Sequence, residues 1–268
     1  MNLSISNIAW VSENDNEVYE MMKSNGFTGL EIAPTRIFPE NPYYKLEEAG
    51  NWSKQLMSDY GFCVPSMQSI WYGRSEAIFG SEEERKVLVD YTKKAIDFAS
   101  VIGCNNLVFG CPRNRNMPVE ANDGSAYYQI AVDFFKEIGD YAFSKGTVIG
   151  MEANPPIYNT NFVNYTKEAV ELIEKVDSKG FRLNFDMGTV VCLEERLEFL
   201  DGKYDLINHV HISEPGLKPI EVREIHNASA NKLRDASYQG FVSIEMGKCD
   251  DLSIVRSAME YVGGVFGA

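Results

Sequence analysis

Four side chains in the second half of this sequence carry the chemistry of a divalent-cation site: Glu152, Asp186, His211 and Glu245. Each stands at or near the end of a short, mostly apolar run: TVIGMEANPP (147–156), FRLNFDMG (181–188), NHVHISEP (208–215) and FVSIEMG (241–247). Their spacings are 34, 25 and 34 residues, from 152 to 186, 186 to 211 and 211 to 245. One β/α unit of an eightfold barrel takes roughly 31 residues, so four consecutive parallel strands would bring these groups to one rim. Taken singly, each carboxylate is equally a helix cap or a surface acid. Taken together, in phase, three carboxylates and one imidazole converge on a point. An oxygen-rich set with one imidazole suits Mn²⁺, Mg²⁺ or Co²⁺, with Zn²⁺ as an alternative. Open coordination positions would accept two adjacent substrate oxygens.

Parity supports the same arrangement, because successive side chains of a strand point to opposite faces. Glu152 carries Gly150 and Val148 to its own face, while Ile149 and Met151 turn to the other. Asp186 takes Asn184, His211 takes His209, and Glu245 takes Ser243. In the first run, LSISNIAW (3–10), Ser4 and Ser6 oppose Leu3 and Ile5. One face is thus apolar and the other small or polar, which a purely structural interior would avoid because buried polar groups need partners.

The elements that must position these residues follow in order. Helices are expected over 14–26, 45–61, 81–103, 124–146, 164–180, 191–202, 225–240 and from 253 onward, several closed by Gly. Between them lie strands in 3–10, TGLEIAP, FCVPSMQSIWYG (62–73), NNLVFGCP (105–112) and the four runs above. Strand and helix alternate eight times with short loops and no linker. That pattern predicts an α/β fold, a single-domain (β/α)₈ barrel over residues 1–268.

The sequence resembles the xylose isomerase-like TIM barrels, the sugar isomerase/epimerase superfamily that also contains endonuclease IV. The motifs that carry this likeness are GLEIAP (29–34), GMEANP (150–155), NFDMG (184–188), HVHISEP (209–215) and FVSIEM (241–246). The nearest likeness in motif is to the ketose 3-epimerases. The resemblance implies one divalent metal held by Glu152, Asp186, His211 and Glu245, with Glu152 and Glu245 also moving protons on opposite faces of a ketose. It places Glu214 near the substrate and implies a homo-oligomer. The chain departs from the ketose epimerases in having no His after Asp186 and in having Leu217, with Lys218 beside it, where they carry an Arg. Endonuclease IV needs further histidines, and this chain has only His209, His211 and His226.

Other residues admit two readings. His209 is either a partner of a ligand or a satisfied core histidine. Asn154 either orients Glu152 or serves the turn before Pro155. Glu31 and Gln68 face inward by parity, Glu31 as a substrate or supporting acid or as half of an internal ion pair. Trp10, Trp71 and Tyr72 either form an apolar wall for a sugar ring or simply pack. Arg113 and Arg115, in CPRNRN (111–116), are an anion grip or a solvated loop, and Lys218 is placed near the same rim. Cys111 beside them reads as a bystander thiol.

The net charge of −14 speaks against DNA or RNA as a partner. Five cysteines, none in C-x-x-C spacing, fit free thiols in a reducing compartment. The opening MNLSISNIAW lacks the features of a secretory leader, and no run is long enough to span a membrane, so a cytoplasmic protein is expected. The expected function is a divalent-metal-dependent isomerase or epimerase acting on a sugar or sugar derivative, including an anionic one, through an enediolate. The alternatives are a dehydratase (lyase) of the same superfamily and a non-catalytic, metal-bearing sugar-binding protein.

Overall fold

A computed structural model describes residues 1–118 and 124–267. Seven strands form one parallel sheet: β1 (Asn2–Ser6), β2 (Gly29–Glu31), β3 (Leu107–Phe109), β4 (Ile149–Met151), β5 (Phe181–Asp186), β6 (Ile207–Ile212) and β7 (Phe241–Ile244). Their order is β2-β1-β7-β6-β5-β4-β3, which leaves one gap between β2 and β3. The segment 63–68 fills it. Leu30 N donates to Cys63 O (2.9 Å) and Gln68 N to Ile32 O (2.8 Å) on one side. On the other, Met67 N donates to Asn106 O (2.9 Å) and Val108 N to Met67 O (2.8 Å). The ring is therefore a closed α/β barrel.

The run 62–73 was expected to be a full third strand, and here the structure differs. Pro65 has no N–H to give to a ladder, so pairing is confined to bridges at Cys63 and Met67, and a turn follows at 70–73. A second difference lies after β5. The expected helix over 191–202 instead starts directly at the strand end, as α7 (Met187–Leu193), followed by a single 3₁₀ turn at Leu197–Leu200.

Helices α1 (Asp15–Ser24), α3 (Leu46–Tyr60), α4 (Glu82–Ile102), α5 (Gly124–Ser144), α6 (Thr166–Val176), α8 (Glu224–Asp235) and α9 (Leu252–Phe266) follow the expected pattern, whereas the short α2 (Pro34–Ile37), which Pro34 opens directly after β2, has no counterpart in it. Helix α4 shows the local logic. Ser81 Oγ accepts from Glu84 N (3.2 Å), Glu84 Oε2 accepts from Ser81 N (2.8 Å), and Gly103 ends the helix in the left-handed region (φ 71°). Among the described residues no helix is long and apolar enough to cross a membrane, and all five cysteines are free.

Apolar side chains fill the layer between sheet and helices, where Phe135 stacks on Phe181 at 4.7 Å and Trp71 meets Phe109 edge-on at 4.8 Å. Inside the ring the column is polar. Gln68 Nε2 donates to Ser6 Oγ (2.7 Å), and Asn106 Nδ2 contacts Ser66 Oγ (3.1 Å) and Asn184 Oδ1 (3.2 Å). The amides of Gln68, Asn106 and Asn184 therefore have partners, and the column leads up to the residues of the rim.

His226, the one histidine off the strands, ties α8 to α9. It is fully buried, and its Nδ1 lies 3.0 Å from Tyr261 Oη. Burial lowers its pKa to about 4. Between pH 4 and the unfolded value near 6.5, the unfolded chain binds the proton and the folded one does not, so stability is present above that window and lost as pH falls through it. We expect the loss to approach about 3 kcal/mol for this group, and His226→Gln to flatten that part of the profile. Urea unfolding of both proteins from pH 4 to 7.5 measures it, and parallel profiles would contradict it.

Candidate metal centre

Glu152 follows β4 directly, and its N–H donates to Phe109 O at 3.1 Å, continuing the strand pairing by one residue. Asp186 ends β5, His211 lies within β6, and Glu245 follows β7 with its N–H on Ile212 O at 3.0 Å. Because β4, β5, β6 and β7 are neighbours in the sheet, the four side chains meet. One ligating atom from each lies within 4.8 Å of all the others, and all four residues are buried. The spacing and parity of the sequence thus correspond to a single cluster at the C-terminal strand ends.

His211 is the hub. Its Nε2 lies 2.9 Å from Glu31 Oε2, and its Nδ1 lies 2.9 Å from Glu152 Oε1 and 3.3 Å from Glu245 Oε2. Burial would lower the imidazole's pKa, but Glu31, Glu245 and Glu152 raise it well above the ordinary value. Burial would likewise raise Glu31, yet His211 and then His209 hold it well below the usual carboxylate range. Asp186 and Glu245 are pushed up, first by burial. One imidazolium cannot balance four buried carboxylates, and isolated buried charge is costly. The cluster therefore fits a cation in its donor set, its closeness and its surplus negative charge. A proton kept on Nε2 toward Glu31 leaves the Nδ1 lone pair facing Glu152, Asp186 and Glu245, the tautomer a ligand needs.

Neutral donors fix the carboxylates. Asn184 Nδ2 donates to Glu152 Oε1 (2.8 Å) and Asn154 Nδ2 to Glu152 Oε2 (3.0 Å). Asp186 accepts from Ser213 Oγ (2.6 Å), Gly188 N (3.1 Å) and Thr189 N (2.8 Å), so it caps α7 while facing the cluster. The cap reading of this strand-end acid thus holds for Asp186, which also stands in the cluster. A Cβ at Gly188 would come within 2.1 Å of Ser213 Oγ, so glycine permits that approach.

Above the cluster opens a cavity of about 510 Å³ whose lining includes Glu152, Asp186, Glu245, Trp71, Tyr158 and Leu217. Trp71 is itself largely buried, its Nε1 bonded to Thr92 Oγ1 at 2.9 Å. Tyr72 and Arg113 also border the cavity and are exposed, which puts them at its mouth. The other expected substrate contacts lie elsewhere. Arg115 is fully buried and donates to Glu152 O (2.9 Å), Asn154 Oδ1 (2.9 Å) and Val163 O (3.3 Å), bracing the turn that carries Glu152. Desolvation lowers its pKa to about 10. Glu214 is buried and held by Arg223 Nε (2.8 Å) and Nη2 (2.6 Å), away from the cavity lining. Lys218 is exposed and outside that lining.

Glu31 supports His211, and His209 Nε2 lies 3.1 Å from the same Glu31 oxygen, without the alignment of a hydrogen bond. Trp10 bonds Asp15 Oδ1 at 2.8 Å and takes no part in the cavity. Burial pushes the Cys111 thiol up to about 12, which leaves it unreactive. Tyr158 was missed by sequence reasoning; its Oη accepts from Gly216 N at 2.9 Å, linking the loops after β4 and β6. Ser213 was missed too, although it shares parity with His211 and so had a signal.

The family model for xylose isomerase-like TIM barrels matches residues 19–262. The chain belongs to that family. Similar solved structures include the 3-keto-D-glucoside 4-epimerase of E. coli, at 20% identity and TM-score 0.78, with 98% of each chain covered. A D-psicose 3-epimerase of Clostridium cellulolyticum, solved with D-tagatose, aligns at 14% identity and TM-score 0.80 over 99% of each chain. A probable 3-DHS dehydratase of Bacillus anthracis aligns at 15% identity and TM-score 0.72, covering 100% of this chain and 99% of the other. At these identities the likeness speaks to the fold. Compared by sequence with curated proteins, the chain has no match.

For this member of the family we expect about one tightly held divalent ion per chain by elemental analysis. Asp186→Asn and His211→Ala should strip it while far-UV circular dichroism stays nearly unchanged. Glu31→Gln, which removes the carboxylate behind His211 and leaves the four-residue cluster itself intact, should weaken ion affinity roughly 10- to 100-fold. Full ion retention in both ligand variants would refute the assignment.

Proposed function

We propose that this protein is a divalent-metal-dependent isomerase or epimerase that moves a proton next to a carbonyl in a sugar or sugar derivative. The observation that carries the reading is that Glu152 and Glu245 are at once members of the four-residue cluster and part of the cavity lining. Mn²⁺, Mg²⁺ or Co²⁺ suits the set best. A cation bound there would polarise a substrate carbonyl and acidify the adjoining C–H, so that a weak base suffices.

The chain's own residues account for the rest. Glu152 and Glu245 come from the two outer strands of the β4–β7 group, so their carboxylates approach a bound ligand from different sides. One removes the proton from carbon, and the other returns a proton to the opposite face, inverting that centre. Asn184 and Asn154 grip both oxygens of Glu152, and Arg115 fixes its backbone, which restricts the carboxylate to one orientation. Trp71 and Tyr158 line the cavity and offer ring faces and edges against which a bound ligand would pack. The free cysteines agree with a reducing compartment.

Turnover in D₂O should place deuterium at the inverted carbon of the product. Glu152→Gln and Glu245→Gln should each lower kcat by at least about 10³-fold, in preparations whose ion content has been verified. Product without solvent deuterium would indicate a hydride shift and remove the proton-carrier roles. Loss of one water from the substrate would instead identify the lyase reaction.

A further inference from the structure

On the reading above, the cavity is roomier than its reaction requires. A six-carbon sugar of twelve non-hydrogen atoms fills roughly 200 Å³ at interior packing density, against about 510 Å³ here. The substrate therefore has room for a further group between the cluster and the mouth. The charges at the two ends differ. Glu152, Asp186 and Glu245 lie at the cluster, whereas the mouth carries Arg74 and Arg113. Arg74 is neutralised by an ion pair with Glu76 and lies over the Tyr91 ring at 5.0 Å.

Arg113 has no hydrogen-bond or ion-pair partner among the described residues, although its surroundings are tightly fixed. It belongs to a 3₁₀ turn, Pro112–Arg115, entered through Cys111 in the left-handed region (φ 42°). Asn114 Nδ2 donates to Arg74 O (3.2 Å) and Glu76 O (2.8 Å), and Asn114 O accepts from Ile78 N (2.8 Å). Arg115 is anchored by the three carbonyl oxygens described above. The turn is thus pinned on both sides of Arg113, which lines the cavity beside Cys111, Pro112 and Asn114 and is the turn's charged member there. In a chain of net charge −14, acids are abundant, and most arginines have found a carboxylate or a carbonyl.

We propose that Arg113 is a specificity-determining residue that selects substrates carrying an anionic group, phosphate or carboxylate, at the end remote from the Glu152–Asp186–His211–Glu245 cluster. A guanidinium forks onto either group, and a pre-positioned one loses little freedom in doing so. The bond is charge-assisted and lies at a solvated mouth, so it is expected to discriminate by roughly 10- to 100-fold and to weaken with added salt.

Calorimetric titration of the ion-loaded protein with D-fructose, D-fructose 6-phosphate and D-tagaturonate tests this without turnover. At least one anion should bind tenfold or more tightly than the neutral sugar, and which anion does so separates phosphate from carboxylate. Arg113→Gln should abolish that preference and Arg113→Lys should restore part of it, with melting temperature and ion content unchanged in both. The proposal is overturned if no anion is preferred, if none of the three sugars binds, or if the preference survives Arg113→Gln. Failure of the wild-type protein to take up a divalent ion would instead strike the metal reading, since the preference is read from binding alone.

Discussion

Everything at the C-terminal end of this barrel depends on one imidazole held between carboxylates. Glu31 meets His211 from one side, and Glu152 and Glu245 from the other, all within 3.3 Å. Moving ions of one sign into a buried site costs several kcal/mol each unless charge or hydrogen bonds compensate. A single proton on His211 offsets one charge at most. The remainder is met in part by neutral donors from Asn184, Asn154, Ser213 and the first turn of α7, and a cation bound at the cluster would complete the balance. The same geometry fixes the tautomer, because an acceptor at Nε2 frees Nδ1 for ligation.

That arrangement constrains residues well away from the cavity. Arg115 is the largest buried cation in the chain, yet it contacts carbonyl and amide oxygens rather than a carboxylate. It fixes the backbone at Glu152 and the side chain at Asn154, which in turn holds one Glu152 oxygen. Below the rim, Asn106 and Asn184 link the barrel's polar column to the cluster through successive amide contacts. An apolar column would pack as well, but it could not hand hydrogen bonds upward to orient a carboxylate. The polar interior is thus a support for the site, assembled from the small and polar positions that alternate with apolar ones along each strand.

Much of this was legible in the sequence for a simple reason: strand parity and the β/α repeat are properties of the backbone, and both appear directly in residue order. They suffice to bring Glu152, Asp186, His211 and Glu245 together and to mark Asn184 and His209 as their companions. They fail where the backbone is irregular. Pro65 interrupts the third strand while leaving its alternation intact, and α7 begins where Asp186 caps it rather than after a loop. They fail also for long side chains in loops. Arg113 and Arg115 stand two residues apart in one turn, and composition cannot tell which is turned into the core. Only the backbone path through Cys111 decides it. The same holds for Glu214, whose partner Arg223 lies across a loop with no periodicity to announce the pair.

The division between what repeats and what does not also bears on how such a barrel acquires its substrate. The cluster is built from strand ends, which the sheet holds in register, and so its chemistry is insensitive to loop sequence. The mouth is built from loops. After β6, Glu214 is locked to Arg223, and Leu217 adopts a left-handed conformation (φ 53°), its N–H on Glu214 O (2.8 Å) and its carbonyl accepting from Gly247 N (2.7 Å). This loop offers the cavity the apolar side chain of Leu217. The charged groups bordering the mouth come instead from the other side, from the turn after 63–68 and from the loop after β3, with Arg74 and Arg113. Holding Leu217 in a sparsely populated backbone region costs about 1 kcal/mol or more, which the two backbone hydrogen bonds help to offset. On the proposed reading, substrate choice in this chain would rest on a few loop positions around a cluster whose geometry the sheet already determines.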